Sequence, residues 1–196
     1  MPQTSGNPAE ELDSLTIFLH FGLMVFGVLT WISSFWAGDY KSPHHWGFTV
    51  HKMLGLGTTL FLAGRLFHGF FGPQAARFKN WVPCRSDQLK AVFEDLRGLL
   101  TLKLPDRPPH QGLAGLWEAF GLLLFTWMSA TGFFMYVFLT PGSRARGVLH
   151  LVKELHELGE FLIPLFLGVH LGAVLLHALA GDHRWRKMFF LKNPSN

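Results

Sequence analysis

The sequence predicts an all-α membrane protein, a four-transmembrane-helix bundle with an additional amphipathic helix at its cytoplasmic end. Three observations carry that expectation. Hydrophobic residues make up 49% of the chain and charged residues only 15%, well under the roughly 25% usual in soluble domains. Four apolar stretches are long enough, at about 1.5 Å per residue, to cross a hydrocarbon layer of about 30 Å. Gly and Ser recur inside them, at Gly55, Gly57, Gly64, Ser129 and Gly132, where soluble helices avoid them and membrane helices use them for close approach. Mean hydropathy is only +0.25, so polar connections must separate the spans.

The elements follow in order. The first helix is expected over about 15–36, which contains no charged residue. The residues before it contain no Lys or Arg and carry Glu10, Glu11 and Asp13. A cleaved signal peptide begins with basic residues, so the first helix is expected to be retained. The second is expected over about 53–72 and contains Arg65. The third spans about 113–139 with Glu118, and the fourth about 158–180 with Glu160. No internal repeat is visible, and the 196 residues are read as one domain.

Positive charge sets the expected orientation. The connection between the second and third helices carries Arg77, Lys79, Arg85, Lys90, Arg97, Lys103 and Arg107, and the C-terminal tail adds Arg184, Arg186, Lys187 and Lys192. The other connections hold only Lys41, Lys52, Arg144, Arg146 and Lys153. The positive-inside rule places the long connection and both termini in the cytoplasm. The formal charge of +4 is therefore read as topology, and no nucleic-acid partner is expected. Within the long connection, Leu89, Val92, Phe93, Leu96, Leu99 and Leu100 share one helical face over 86–100. Ser86 is the expected N-cap. This helix either lies along the membrane surface or a partner subunit, or simply covers the end of the bundle.

A single cysteine, Cys84, excludes an internal disulfide, an all-cysteine iron–sulfur site and haem attachment through Cys-x-x-Cys-His. Histidines are the remaining candidates, and inside a bilayer they are expensive enough to imply a function. His20 falls in the first helix, His51 at the head of the second, and His156 and His170 belong to the fourth. The last two are fourteen residues apart, close to four turns, so they share a face about 21 Å apart along the axis. The expected orientation matches His20 with His170 near the inner surface and His51 with His156 near the outer one. Each pair offers two axial imidazoles to one haem iron, so the residues predict two haems b between facing helices. Gly22, Gly27, Gly55, Gly159, Gly168 and Gly172 lie near these histidines, either as room for porphyrin or as ordinary small-residue packing.

The segments His51-Lys52-Met53-Leu54-Gly55 and Leu155-His156-Glu157-Leu158-Gly159, with His170 and His177, resemble the bacterial cytochrome b561 and Ni,Fe-hydrogenase b-type cytochrome family. The gamma subunits of membrane-bound formate dehydrogenases share that superfamily. Thr131-Gly132 and the tail from Gly181 to Met188 resemble it as well. His20-Phe21 departs from the His-Trp of many members, and the long connection is nearer to the partner-docking gamma subunits. The resemblance implies a multi-pass protein of the bacterial inner membrane, in the respiratory chain, with quinone bound near His20, His170 and His177. It also implies a dehydrogenase, hydrogenase-type or cytochrome partner, the chain being the electron-transfer subunit of an oxidoreductase complex.

Further residues carry alternatives. Arg65 is a candidate partner of an inner haem propionate, or it snorkels to the headgroups. His177 is a candidate contact to a propionate or quinone, or a substitute ligand. His68 reads as a surface or quinone-pocket residue. His44 and His45 read as outer-loop residues, and His110, His150 and His183 as loop or helix-end residues. Glu118 and Glu160 either mark helix ends or take up a quinol proton. Two other functions compete: a self-contained enzyme passing electrons from a small donor such as superoxide to quinone, and a haem-free anchor or transporter.

Overall fold

The computed structural model describes residues 13–37, 45–105, 107–108, 110–140 and 142–191. Lys41, His44 and Lys192, and the acidic residues Glu10 and Glu11, lie outside them. Every regular element among the described residues is helical. The elements are α1 (Ser14–Ser34), α2 (Trp46–Phe71), α3 (Phe78–Trp81), α4 (Ser86–Leu100), α5 (Gly112–Phe138), α6 (Val148–Glu157) and α7 (Gly159–Leu179). A 3-10 turn, Arg184–Phe189, closes the chain.

Three helical stretches are long and apolar enough to cross a membrane: Ser14–Ser34, Gly112–Phe138 and Val148–Leu179, the last running through α6 and α7. Helix α2 has 26 residues, an ample length, but His51, Lys52, Arg65 and His68 lower its hydropathy. The expected bounds of the first and third helices hold to within two residues. Those of α2 do not, since it begins at Trp46 and places His51 inside the helix rather than at its head. The fourth helix also begins early. Residues 148–157 are already helical, and a one-residue interruption at Leu158 joins them to α7. Pro164 follows within two turns and withdraws one main-chain donor from α7.

Helices α1 and α2 form the tightest pair. Gly22 meets the Phe61 ring, Gly57 meets Phe26, and Gly64 meets Leu19. Thr30 and Thr58 share a hydroxyl–hydroxyl hydrogen bond of 2.9 Å across the same seam. Helix α5 lies against α2, α6 and α7. Its core with α7 is Leu124, Ile163 and Phe166, with Trp31, Trp117, Phe125 and Met128 packed around them. Outside these contacts the long helices expose Leu60, Phe67, Leu123, Phe161, Leu171 and Leu175. A soluble domain rarely leaves so much apolar surface uncovered, and a membrane protein presents it to lipid.

The amphipathic helix has its expected bounds, but Ser86 is its first helical residue and Arg85 holds the cap position. The Gln88 side chain accepts from the Arg85 amide at 3.1 Å. Helix α4 packs on α5 through Val92 and a buried aspartate, Asp95. Asp95 Oδ2 accepts from the Leu113 amide at 2.9 Å and Oδ1 from Arg107 Nε at 2.6 Å. It thus satisfies one of the orphan donors at the start of α5. Gly112 is required there. Its φ is +59°, and a Cβ would stand 1.9 Å from Asp95 Oδ2.

Asp95→Ala should therefore leave the Leu113 amide and the Arg107 guanidinium short of a partner. About 2–3 kcal/mol of stability should be lost, measured by thermal unfolding in detergent. An unchanged transition would contradict this account of the α4–α5 junction.

Candidate haem-ligand pairs

Two histidine pairs face one another across the helices. His20 of α1 and His170 of α7 have ring centres 6.3 Å apart, with planes inclined at 45°. His51 of α2 and His156 of α6 are also 6.3 Å apart, at 82°. The first pair lies at the end of the bundle that carries α4, and the second at the end that carries α6. These are the partners expected from matched depth.

The spacing fits two imidazoles on one metal ion. Metal–nitrogen bonds of about 2 Å on each side, plus the two half-rings, account for a separation of this size. Nearer approach would be van der Waals stacking. Among the described residues no group of three or more His, Cys, Asp or Glu could hold a metal ion. A haem iron takes four donors from the porphyrin and needs only two from protein.

At the α6 end the ligand geometry is set by neighbours. His51 Nδ1 lies 2.9 Å from the Thr30 carbonyl and 3.2 Å from Ser33 Oγ. His156 Nδ1 lies 2.8 Å from Thr131 Oγ1. Gly132 stands against the same ring, its Cβ position 3.1 Å from His156 Cε1. Gly55, one turn after His51, would meet nothing closer than Thr30 Cγ2 at 3.8 Å.

The other glycines near the histidines fall into two groups. Gly22, Gly27 and Gly159 have their space filled by Phe61, Phe125 and Met128, so they serve helix packing here. Gly168 and Gly172 meet nothing within 4 Å. Two residues correspond to about 200° of helical rotation, so both face away from His170.

The α4 end gathers charged and polar groups. Arg65 is only 5% exposed. Its guanidinium lies over the Phe78 ring at 5.4 Å and the Trp81 ring at 5.7 Å. Snorkelling is therefore not what this side chain does; it turns inward beneath α3. Its Nη1 is buried without a hydrogen-bond partner. His20 Nδ1, His110 Nε2 and Trp117 Nε1 are likewise buried and unpartnered. Unmet buried donors are costly, and they fit a site built for an added group with acceptor atoms. Phe166 stacks on His170 at 5.6 Å and Trp117 on Phe166 at 5.7 Å.

Glu118 contacts His110 Nδ1 directly, and its carboxylate is within electrostatic reach of His20, His170 and Arg65. It is therefore no mere marker of a helix end. His110 is a turn residue before α5, as the sequence suggests. Its contact with Glu118 is beyond any spacing rule, because its left-handed backbone (φ +62°) and its stacking on Trp81 at 5.3 Å are tertiary. His68 is buried and donates from Nε2 to Asp13 at 3.0 Å. Asp13 in turn caps α1, accepting from the Leu15 and Thr16 amides. His177 stands half-buried in the last turn of α7, where Asp182 feels its charge. His45 stacks on Trp46 at 6.4 Å.

Two facing imidazole pairs thus lie between the long helices of a protein with three stretches apolar enough to cross a membrane. Residues 11–191 match the family described as prokaryotic cytochrome b561. The chain belongs to that family. It is therefore a membrane b-type cytochrome in electron transfer, and membership implies binding of b-type haem. No curated protein and no solved structure matches the chain.

The Asp13–His68 contact gives a pH prediction. Burial opposes ionisation of Asp13, but hydrogen bonds from Thr16 and His68 and the nearby His68 charge outweigh it. Its pKa is held below the ordinary 3.8. Because the folded value is the lower one, the carboxylate's contribution is complete above pH 3.8 and is lost as the pH falls through the folded value. Acid titration of unfolding in detergent should show that loss, and Asp13→Asn should abolish it. Identical acid profiles for the two proteins would contradict the assignment.

Proposed function

We propose that the chain is a di-haem cytochrome carrying electrons across the bilayer between a redox partner and the quinone pool. His20 and His170 hold the haem at the α4 end, and His51 and His156 hold the one at the α6 end. The observation that carries this reading is the equal 6.3 Å spacing of the two histidine pairs. Each bis-imidazole site supplies a one-electron couple with no vacant position on iron, suited to electron transfer rather than oxygen chemistry.

The remaining residues take roles around those pairs. Helix α2 is the fourth span: its 26 residues reach about 39 Å, more than the roughly 30 Å needed. The cation-rich connection, with Arg77, Lys79, Arg85, Lys90, Arg97 and Lys103, supports a cytoplasmic α4 end, and the prokaryotic family supports a seat in the bacterial inner membrane. Contacts supporting a common end for both chain termini are Arg184 Nη1 to the Arg107 carbonyl at 2.8 Å, and Phe190 against Phe21. Helix α4 exposes Leu89, Phe93, Leu96 and Leu100, an apolar rim for lipid headgroups or a dehydrogenase- or hydrogenase-type partner.

Arg65 presents its unpartnered Nη1 to a haem propionate at the α4 end. Quinone binds beside the same pair, where His110 and Glu118 accept and pass on the proton that accompanies its redox change. His177 stands near enough to the end of α7 to share that route.

Single substitutions test the pairing. His51→Ala and His156→Ala should each remove the same half of the b-type absorbance, and His20→Ala and His170→Ala the other half. The haemochrome spectra of the purified variants, and reduction of the remaining haem by quinol, are the measurements. Losses grouped in any other way would overturn the pairing, and absence of b haem from the parent protein would overturn the function.

A further inference from the structure

The two imidazole pairs differ in what stands behind them. A main-chain carbonyl only accepts, so the 2.9 Å contact from His51 Nδ1 to Thr30 O fixes the proton on Nδ1. The Ser33 hydroxyl donates to the same carbonyl at 2.8 Å, and its oxygen takes a second share of the His51 proton. On the facing helix, Thr131 Oγ1 lies 2.8 Å from Trp127 O and 3.1 Å from Met128 O. Its proton is therefore committed to the preceding turn of α5. The oxygen that faces His156 Nδ1 at 2.8 Å is left to accept. The carbonyl of Met128 also interacts with that imidazole. Both α6-end histidines thus keep Nδ1–H and leave Nε2 as the lone-pair nitrogen. At the α4 end, His20 Nδ1 is buried with no acceptor from the protein.

We propose that Thr131 is a positioning residue for the α6-end haem, fixing the tautomer and aim of His156 and lowering that haem's reduction potential through the hydroxyl it offers to Nδ1–H. The inference rests on the di-haem reading. A histidine that donates its second N–H is a more basic ligand. A more basic ligand favours the oxidised iron over the reduced one, so the reduction equilibrium moves toward the oxidised form. Gly132 contributes by carrying no side chain: a Cβ there would stand 3.1 Å from His156 Cε1, so any larger residue would press the ring away from the Thr131 hydroxyl.

Thr131→Val keeps the side-chain shape and removes the acceptor, while Thr131→Ser keeps the hydroxyl. The experiment is a spectroelectrochemical titration of both haems in the full-length protein and these two variants. In Thr131→Val, one midpoint should rise by about a tenfold change in the reduction equilibrium, 59 mV for a one-electron couple. The other midpoint should stay in place, and Thr131→Ser should resemble the parent. The same rise in a His20→Ala background, which keeps only the α6-end haem, assigns it. Selective loss of that haem from Thr131→Val but not from Thr131→Ser also supports the anchor. Two retained haems with unmoved midpoints, equal movement of both, or equal effects of Val and Ser would overturn it. Failure of the di-haem reading is seen separately, as fewer than two haems in the parent protein before any variant is titrated.

Discussion

Imidazole is a costly group to bury in an apolar bundle, and here four of them are held in two facing pairs with ring centres 6.3 Å apart. Holding such pairs at both ends constrains the rest of the molecule. α1 and α2 must lie opposite the α6–α7 segment, and one histidine of each pair must come from each side. Helix α5 fills the remaining flank, with Leu124 packed against Ile163 and Phe166. The tight α1–α2 seam, made possible by Gly22 and Gly57, keeps His20 and His51 on one rigid unit. Without that seam the two pairs would not be held in a fixed relation.

The two ends differ in how the histidine nitrogens are met. At the α6 end, Thr30, Ser33 and Thr131 meet the second nitrogens of the histidines, while Trp31 Nε1 and His45 Nδ1 are buried without partners. At the α4 end, buried polar atoms of Arg65, His20, His110 and Trp117 lack partners, and the contact between Glu118 and His110 lies close by. His51, Lys52, Arg65 and His68 also reduce the apolar character by which α2 would be recognised as a span.

The histidine pairing was legible because it depends on two regularities, helical rise and alternating direction of successive spans. Fourteen residues between His156 and His170 suffice to give one face and two depths. The bounds of α4 were legible from its apolar face for a similar reason. The early start of α2 at Trp46 and the helix before Leu158 were not, because polar and charged residues there mimic loop composition. Asp95 sits on an amphipathic helix where a carboxylate ordinarily faces water, and only the start of α5 explains its burial. Arg65 offered two destinations, and the aromatic cover from Phe78 and Trp81 removes the snorkelling one. The glycines were the least legible. Their closeness in sequence to the histidines left cofactor room and helix packing both open, and the side chains filling the space at Gly22, Gly27 and Gly159 favour packing there.

We propose each histidine pair as one haem site. The ratio of haem to polypeptide in the purified protein, from a pyridine haemochrome assay against quantitative amino-acid analysis, tests this. Two haems b per chain are expected. A ratio of one or less in fully loaded protein would contradict it, since one of the two 6.3 Å pairs would then be a packing contact and not a ligand set.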